Sequence, residues 1–175
     1  ARTAAEPILF RSAEQKPQKG DWDAINIINS DGALNLVEHC QIEDAYRGLH
    51  FHFANVAVQN SIFRHNYRGI QFQESAVALR RNVFYANTSA IQARDSEITF
   101  LANRVTGNTF GANFFRAELT LAENSFTFNR DFGLKIREGY PTIARNIMAN
   151  NRFGLMLNGA RFGRIVDNLI LGNAE

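Results

Sequence analysis

Several things are scarce in this chain of 175 residues. It has a single cysteine, Cys40, so no internal disulfide can form, and a lone thiol says little about compartment. A small buried apolar role is the ordinary use of such a residue. Only 3 prolines occur, and 45% of residues are apolar against 21% charged, which excludes a disordered or collagen-like chain. A net charge of +2 is too small to argue for nucleic acid or an anionic membrane surface as partner. No run approaches the roughly 18 apolar residues of a membrane-spanning helix, and no signal-peptide core opens the chain. Gly-rich phosphate loops, Cys–His zinc spacings and Ser–His–Asp signatures are missing. So is the basic–aromatic stripe that single-stranded nucleic acid requires. The length predicts one domain over 1–175, large enough to bury a sizeable core.

What is abundant is asparagine and phenylalanine (15 Phe), and both recur in register. The segments "SIFRHNYRGIQF" (61–72), "NVFYANTSAIQA" (82–93), "NRVTGNTFGANF" (103–114), "NSFTFNRDFGLKI" (124–136) and "NIMANNRFGLML" (146–157) repeat one pattern. The opening column runs Cys40, Ser61, Asn82, Asn103, Asn124, Asn146, Asn168, at spacings of 21, 21, 21, 21, 22 and 22. Five residues later a second column reads Ala45, Asn66, Asn87, Asn108, Asn129, Asn151, Asn173. Two columns held in register over this many intervals establish an internal repeat.

Within each copy the apolar residues alternate, which is strand periodicity. A first strand points Leu34/Leu36, Val56/Val58, Val77/Leu79, Ile98/Phe100 and Leu119/Leu121 the same way. A second contributes Ile42, Phe63, Phe84, Val105, Phe126, Met148 and Ile170, and a third Leu49/Phe51, Ile70/Phe72, Ile91/Ala93, Ala112/Phe114, Leu134/Ile136 and Leu155/Leu157. Three short strands in about 21 residues leave room only for tight turns, and such a unit buries its apolar residues only by stacking on its neighbours. Each strand then pairs in parallel with its equivalent about 4.8 Å away. The predicted fold is an all-β, right-handed, single-stranded parallel β-helix of about seven coils of 21–22 residues. Residues 1–30 form a first coil with a longer loop, and 31–175 form the repeating coils. Asn is expected at corners, where it tolerates left-handed geometry and its stacked amides bond one another. Gly48, Gly69, Gly111, Gly133 and Gly154 are expected at a turn with φ > 0. One extra residue near Asp131 predicts a corner bulge.

The head segment "PILFRSAEQKPQKGDWDAINI" (7–27), followed by "NxFxxNxxGI" repeats, resembles bacterial parallel β-helix proteins of the pectin-lyase-like group over nearly the whole chain. The resemblance implies a first coil at "GDW", with Trp22 packed near the end of the core. The group contains polysaccharide lyases, hydrolases, epimerases, adhesins and periplasmic accessory proteins, one family of the last having a copper-related role, so it implies a fold and not a function. The catalytic series "NTD…DD…GHG…RIK" and "YGFDPH" are absent, as is an Asp-rich calcium triad with a following Arg. The start "ARTAAEP" and the uncapped end "LILGNAE" lead us to expect a segment of a longer, extracytoplasmic chain.

Function on such a fold lies on outward side chains. Third-strand positions His50, His52, Gln71, Gln73, Gln92, Arg94, Phe115, Lys135 and Arg137 form the expected ligand-binding surface, suited to a polysaccharide: amides and guanidinium groups bond hydroxyls and carboxylates, and an aromatic can stack on a sugar ring. An ordinary solvated face is the alternative. The first-strand outward face (Ala57/Gln59, Ala78/Arg80, Thr99/Leu101, Thr120/Ala122, Thr142/Ala144, Arg164/Val166) is small and largely apolar, an expected contact for other domains or a protein partner. No catalytic residue is assigned; if the chain is an enzyme, Asp95, Glu97, Arg116 and Glu118 are the positions to examine, because stacked carboxylates repel unless they share a proton or cation. An ion-paired corner ladder explains the same residues without catalysis. His50 and His52 have a spacing compatible with a metal, but His39 and His65 lie at other corners, and neither a metal site nor a cofactor is assigned. The favoured reading is a non-catalytic extracytoplasmic module; a polysaccharide lyase, hydrolase or epimerase is the alternative.

Overall fold

In the computed structural model, which describes residues 6–161 and 163–175, the repeat becomes twenty β-strands in two parallel sheets. The smaller sheet stacks β1 (Ile8–Phe10), β3 (Cys40–Glu43), β5 (Ile62–Arg64), β8 (Val83–Tyr85), β11 (Arg104–Thr106), β14 (Ser125–Thr127), β17 (Ile147–Ala149) and β20 (Leu169–Leu171). The larger sheet has two arms. One stacks β6 (Arg68–Gln73), β9 (Ser89–Arg94), β12 (Phe110–Phe115), β15 (Phe132–Arg137) and β18 (Phe153–Asn158). The other stacks β7 (Ala76–Arg80), β10 (Glu97–Leu101), β13 (Glu118–Ala122), β16 (Tyr140–Ala144) and β19 (Arg164–Val166). The long strands β2 (Trp22–Glu38) and β4 (Ala45–Gln59) run unbroken around the corner between the arms and join them into one bent sheet. The chain is thus an all-β parallel β-helix of about seven coils. No helix among the described residues is long and apolar enough to cross a membrane.

The core is a column of phenylalanines and aliphatics. Phe51, Phe63, Phe72, Phe84, Phe100, Phe114 and Phe126 are fully buried, and the rings of Phe63 and Phe84 stack at 4.9 Å. Trp22 packs against this core at its first coil while its indole N–H donates to the Glu43 carbonyl at 2.8 Å.

Both asparagine columns are buried hydrogen-bond ladders. Asn103 Oδ1 accepts from the Asn82 backbone N–H (2.9 Å) and from its amide (3.1 Å), while the Asn103 amide reaches inward to the Leu79 carbonyl (2.8 Å). The same three-way pattern repeats up both columns, for example at Asn87 and Asn108. A third corner uses serine: Ser96 Oγ accepts from the Ser75 N–H at 3.2 Å, and Ser75 Oγ from the Ala54 N–H at 3.2 Å. The sequence pattern had not singled out that serine ladder.

Three expectations are corrected. The left-handed residue is the one preceding each ladder residue, such as Arg81 (φ 52), Ala102 (φ 53) and His65 (φ 54), not the Asn itself. The recurring glycines have ordinary φ. They are required by space: a Cβ on Gly69 would lie 2.6 Å from the Ala90 carbonyl oxygen and 3.2 Å from the Phe84 ring. Finally, Leu34 and Leu36 face outward, at 64% and 57% exposure. An irregularity in β2 between Ser30 and Leu34 shifts the register, so Asn35 and Val37 align with Val56 and Val58, and a one-residue slip turns every side chain over. The bulge is present: Asn129 and Gly133 are separated by Arg130, Asp131 and Phe132, one residue more than between Asn108 and Gly111.

Replacing Asn103 by Ala strands two donors of Asn82 and the Leu79 carbonyl. It is expected to cost about 3 kcal/mol or more in urea unfolding, against less than about 0.5 kcal/mol for the exposed Thr120→Ala. Gly69→Ala meets backbone and is expected to cost more than Gly107→Ala, which has φ +64 but open space around it. The reverse order would restore backbone conformation as the reason for the recurring glycines.

Candidate functional site

Because side chains alternate along a strand and coils repeat in register, outward residues form straight columns. On the first arm one column runs Asn26, His50, Gln71, Gln92, Asn113, Lys135, Met156, and the next runs Ile28, His52, Gln73, Arg94, Phe115, Arg137, Asn158. All nine residues expected to bind ligand therefore stand on one face. Neither column contains a carboxylate.

Part of this face is tied up internally. The Gln73 amide donates to His52 Nδ1 at 2.9 Å, and Gln73 Oε1 accepts from Arg94 Nε at 2.7 Å. Arg68 donates to Gln71 at 3.0 Å. Phe115, expected to stack on a sugar, has the guanidinium groups of Arg116 and Arg137 over its ring at 4.6 and 4.9 Å. Its ring thus serves first to hold two cations in place.

Beyond the corner that joins the arms lies a groove of about 750 Å³. Asp95, Glu97, Arg116 and Glu118 all line it, with Asp31, Glu74, Glu138, Tyr140 and Arg161. The Asp95 and Arg116 side chains form a two-pronged pair, Nε to Oδ1 at 2.7 Å and Nη2 to Oδ2 at 3.0 Å, with Arg94 at 3.9 Å. That pair fits an ion-paired corner. Glu97 and Glu118, partners in adjacent strands, differ: neither carboxylate has a hydrogen bond or ion pair among the described residues. Six carboxylates face two guanidinium groups here, so the groove is acidic where the neighbouring face is basic.

Metal donors do not converge. His50 Nδ1 lies 2.8 Å from Asn26 Oδ1, which can only accept, so in this arrangement the proton sits on Nδ1 and Nε2 keeps an unshared lone pair that can accept. Burial, aided by Arg47 and His52, holds the His50 pKa below the ordinary imidazole value. His52 Nδ1 instead accepts from an amide, which leaves the proton on Nε2. His65 is bound to Asp44 at 2.8 Å, while Cys40 and Met148 are buried. Among the described residues no three His, Cys, Asp or Glu side chains gather as a metal site.

Hydrogen bonds from Arg116 lower the Asp95 pKa below 3.8, with the charges of Arg116 and Arg94 adding to the effect against a smaller opposing effect of burial. Since the folded value is the lower one, this pair stabilises the fold above the ordinary carboxylate range, and the contribution fades as pH falls through the depressed value. Both side chains are partly exposed, so the gain is small. A carboxylate NMR titration is expected to place Asp95 below 3.8 and to move it upward in Arg116→Ala; an unmoved midpoint would mean that the pair does not form in solution.

No curated protein and no solved structure matches the chain. A family model described as periplasmic copper-binding protein (NosD) matches residues 13–175, nearly the whole of it. Among the described residues the donor set does not supply a closed copper site. The chain belongs to the NosD family and is an extracytoplasmic protein.

Proposed function

We propose that this protein is a non-catalytic extracytoplasmic β-helix module that binds an extended polysaccharide along the first arm's outward face. The observation that carries this reading is the pair of columns from His50 to Arg137: amides, imidazoles and cations in straight rows, free of carboxylates, on a rigid backbone. A polymer laid along the helix axis meets a similar group at every coil, about 4.8 Å apart. Rigid presentation keeps the ordering cost of binding low. The flat column Ala57, Ala78, Thr99, Thr120, Thr142 on the second arm remains the surface for another domain or a protein partner. Copper has no part in this reading, because among the described residues only the His50 and His52 rings approach each other, with ring centres 4.9 Å apart and opposite proton placement.

A second reading, a carbohydrate-active enzyme, is favoured by one observation: Glu97 and Glu118 stand unpaired in register inside the groove. Two such carboxylates are what acid and nucleophile or base roles need.

A glycan array with the purified chain, followed by a turnover assay on each hit, separates the two. The expected result is saturable binding without cleavage, weakened at least about tenfold by Arg94→Ala combined with Arg137→Ala. Cleavage that disappears in Glu118→Gln would establish the enzyme instead.

A further inference from the structure

Within the first arm's outward face is a small depression of about 140 Å³ bordered by Gln92, Arg94, Asn113, Phe115 and Arg137. Its polar groups are unlike those around it. Asn113 Oδ1 is withdrawn from solvent and has no donor. The amides of Gln92 and Asn113 bond nothing among the described residues, whereas those of Gln71 and Gln73 are engaged. A buried acceptor without a donor is costly, so this position favours a ligand hydroxyl.

The charges around the depression are only partly compensated: Arg94 lies 3.9 Å from Asp95 and donates to Gln73. Arg116 has Asp95, but neither Arg137 nor Lys135 has a carboxylate partner among the described residues. Arg137 rests on Phe115 and Lys135 on Phe132, contacts that fix a cation without neutralising it. Guanidinium forks beside unused amides match a carboxylate and the hydroxyls next to it on a sugar ring.

We infer that this depression is a subsite for an acidic sugar, and that the polysaccharide is a polyuronate. The carboxylate lies against Arg94 and Arg137, and ring hydroxyls meet Gln92 and Asn113. This rests on the binding reading above and narrows it to a substrate class.

The test is calorimetric titration of the whole chain with a hexuronic acid pentamer and with a neutral hexose pentamer of the same linkage. The uronate is expected to bind at least about tenfold more tightly, and to weaken as salt rises from about 50 to 500 mM, because exposed charges are screened. Gln92→Ala with Asn113→Ala is expected to weaken the uronate about tenfold, while Arg145→Ala, on another corner, changes nothing. The salt series needs no variant and so holds even if the double substitution unfolds. Equal binding of both pentamers, with no salt dependence, would overturn the acidic subsite yet leave polysaccharide binding standing. Binding of neither would overturn both.

Discussion

Everything in this molecule depends on coils stacking in strict register, and the buried asparagine amides are what hold them there. A parallel sheet edge alone tolerates slippage, but an amide sealed from water must find its partners or cost several kcal/mol. Each ladder Asn ties its coil to the one before it at three points, the N–H and amide of the preceding ladder residue and a strand carbonyl just before that residue, as Asn103 does with Asn82 and Leu79. Slipping one strand would break a set of bonds at every coil. The ladders thus convert a weakly specified stack into one structure, and the phenylalanine column fills the space they fix.

That rigidity also gives the repeat ordered outer faces. Side chains that would be scattered on a loop stand in straight columns here, because register is transmitted from Asn to backbone to outward residue. The two arms of the large sheet use the same device with different chemistry. The first arm presents amides and cations, the corner groove gathers carboxylates, and the second arm shows small side chains. This segregation of charge, at a net charge of only +2, is invisible in composition.

Most of the fold was legible in the sequence because a repeat multiplies each weak signal. The pattern around Asn82 alone predicts little; the same pattern six coils running predicts a solenoid. Errors arose where the repeat is broken or where geometry is not local. Leu34 and Leu36 look like inward residues, but an irregularity in β2 turns them out, and no neighbouring copy reveals that. Gly69 carries no mark in the sequence that distinguishes close approach from left-handed backbone. Ser75 and Ser96 leave little trace in the sequence because their ladder is short. The columns from His50 to Arg137 followed from alternation alone, whereas the pairing of Asp95 with Arg116, and the isolation of Glu97 and Glu118, depend on side-chain placement that spacing does not encode.

The most direct test of a ligand face on the first arm is an NMR titration that follows backbone amide resonances together with the side-chain amides of Asn and Gln. On addition of a bound oligosaccharide, the signals of Gln71, Gln92 and Asn113 are expected to shift together, with Thr99, Thr120 and Thr142 unmoved. Shifts confined to the second arm, or to the groove around Glu97 and Glu118, would contradict this placement of the ligand.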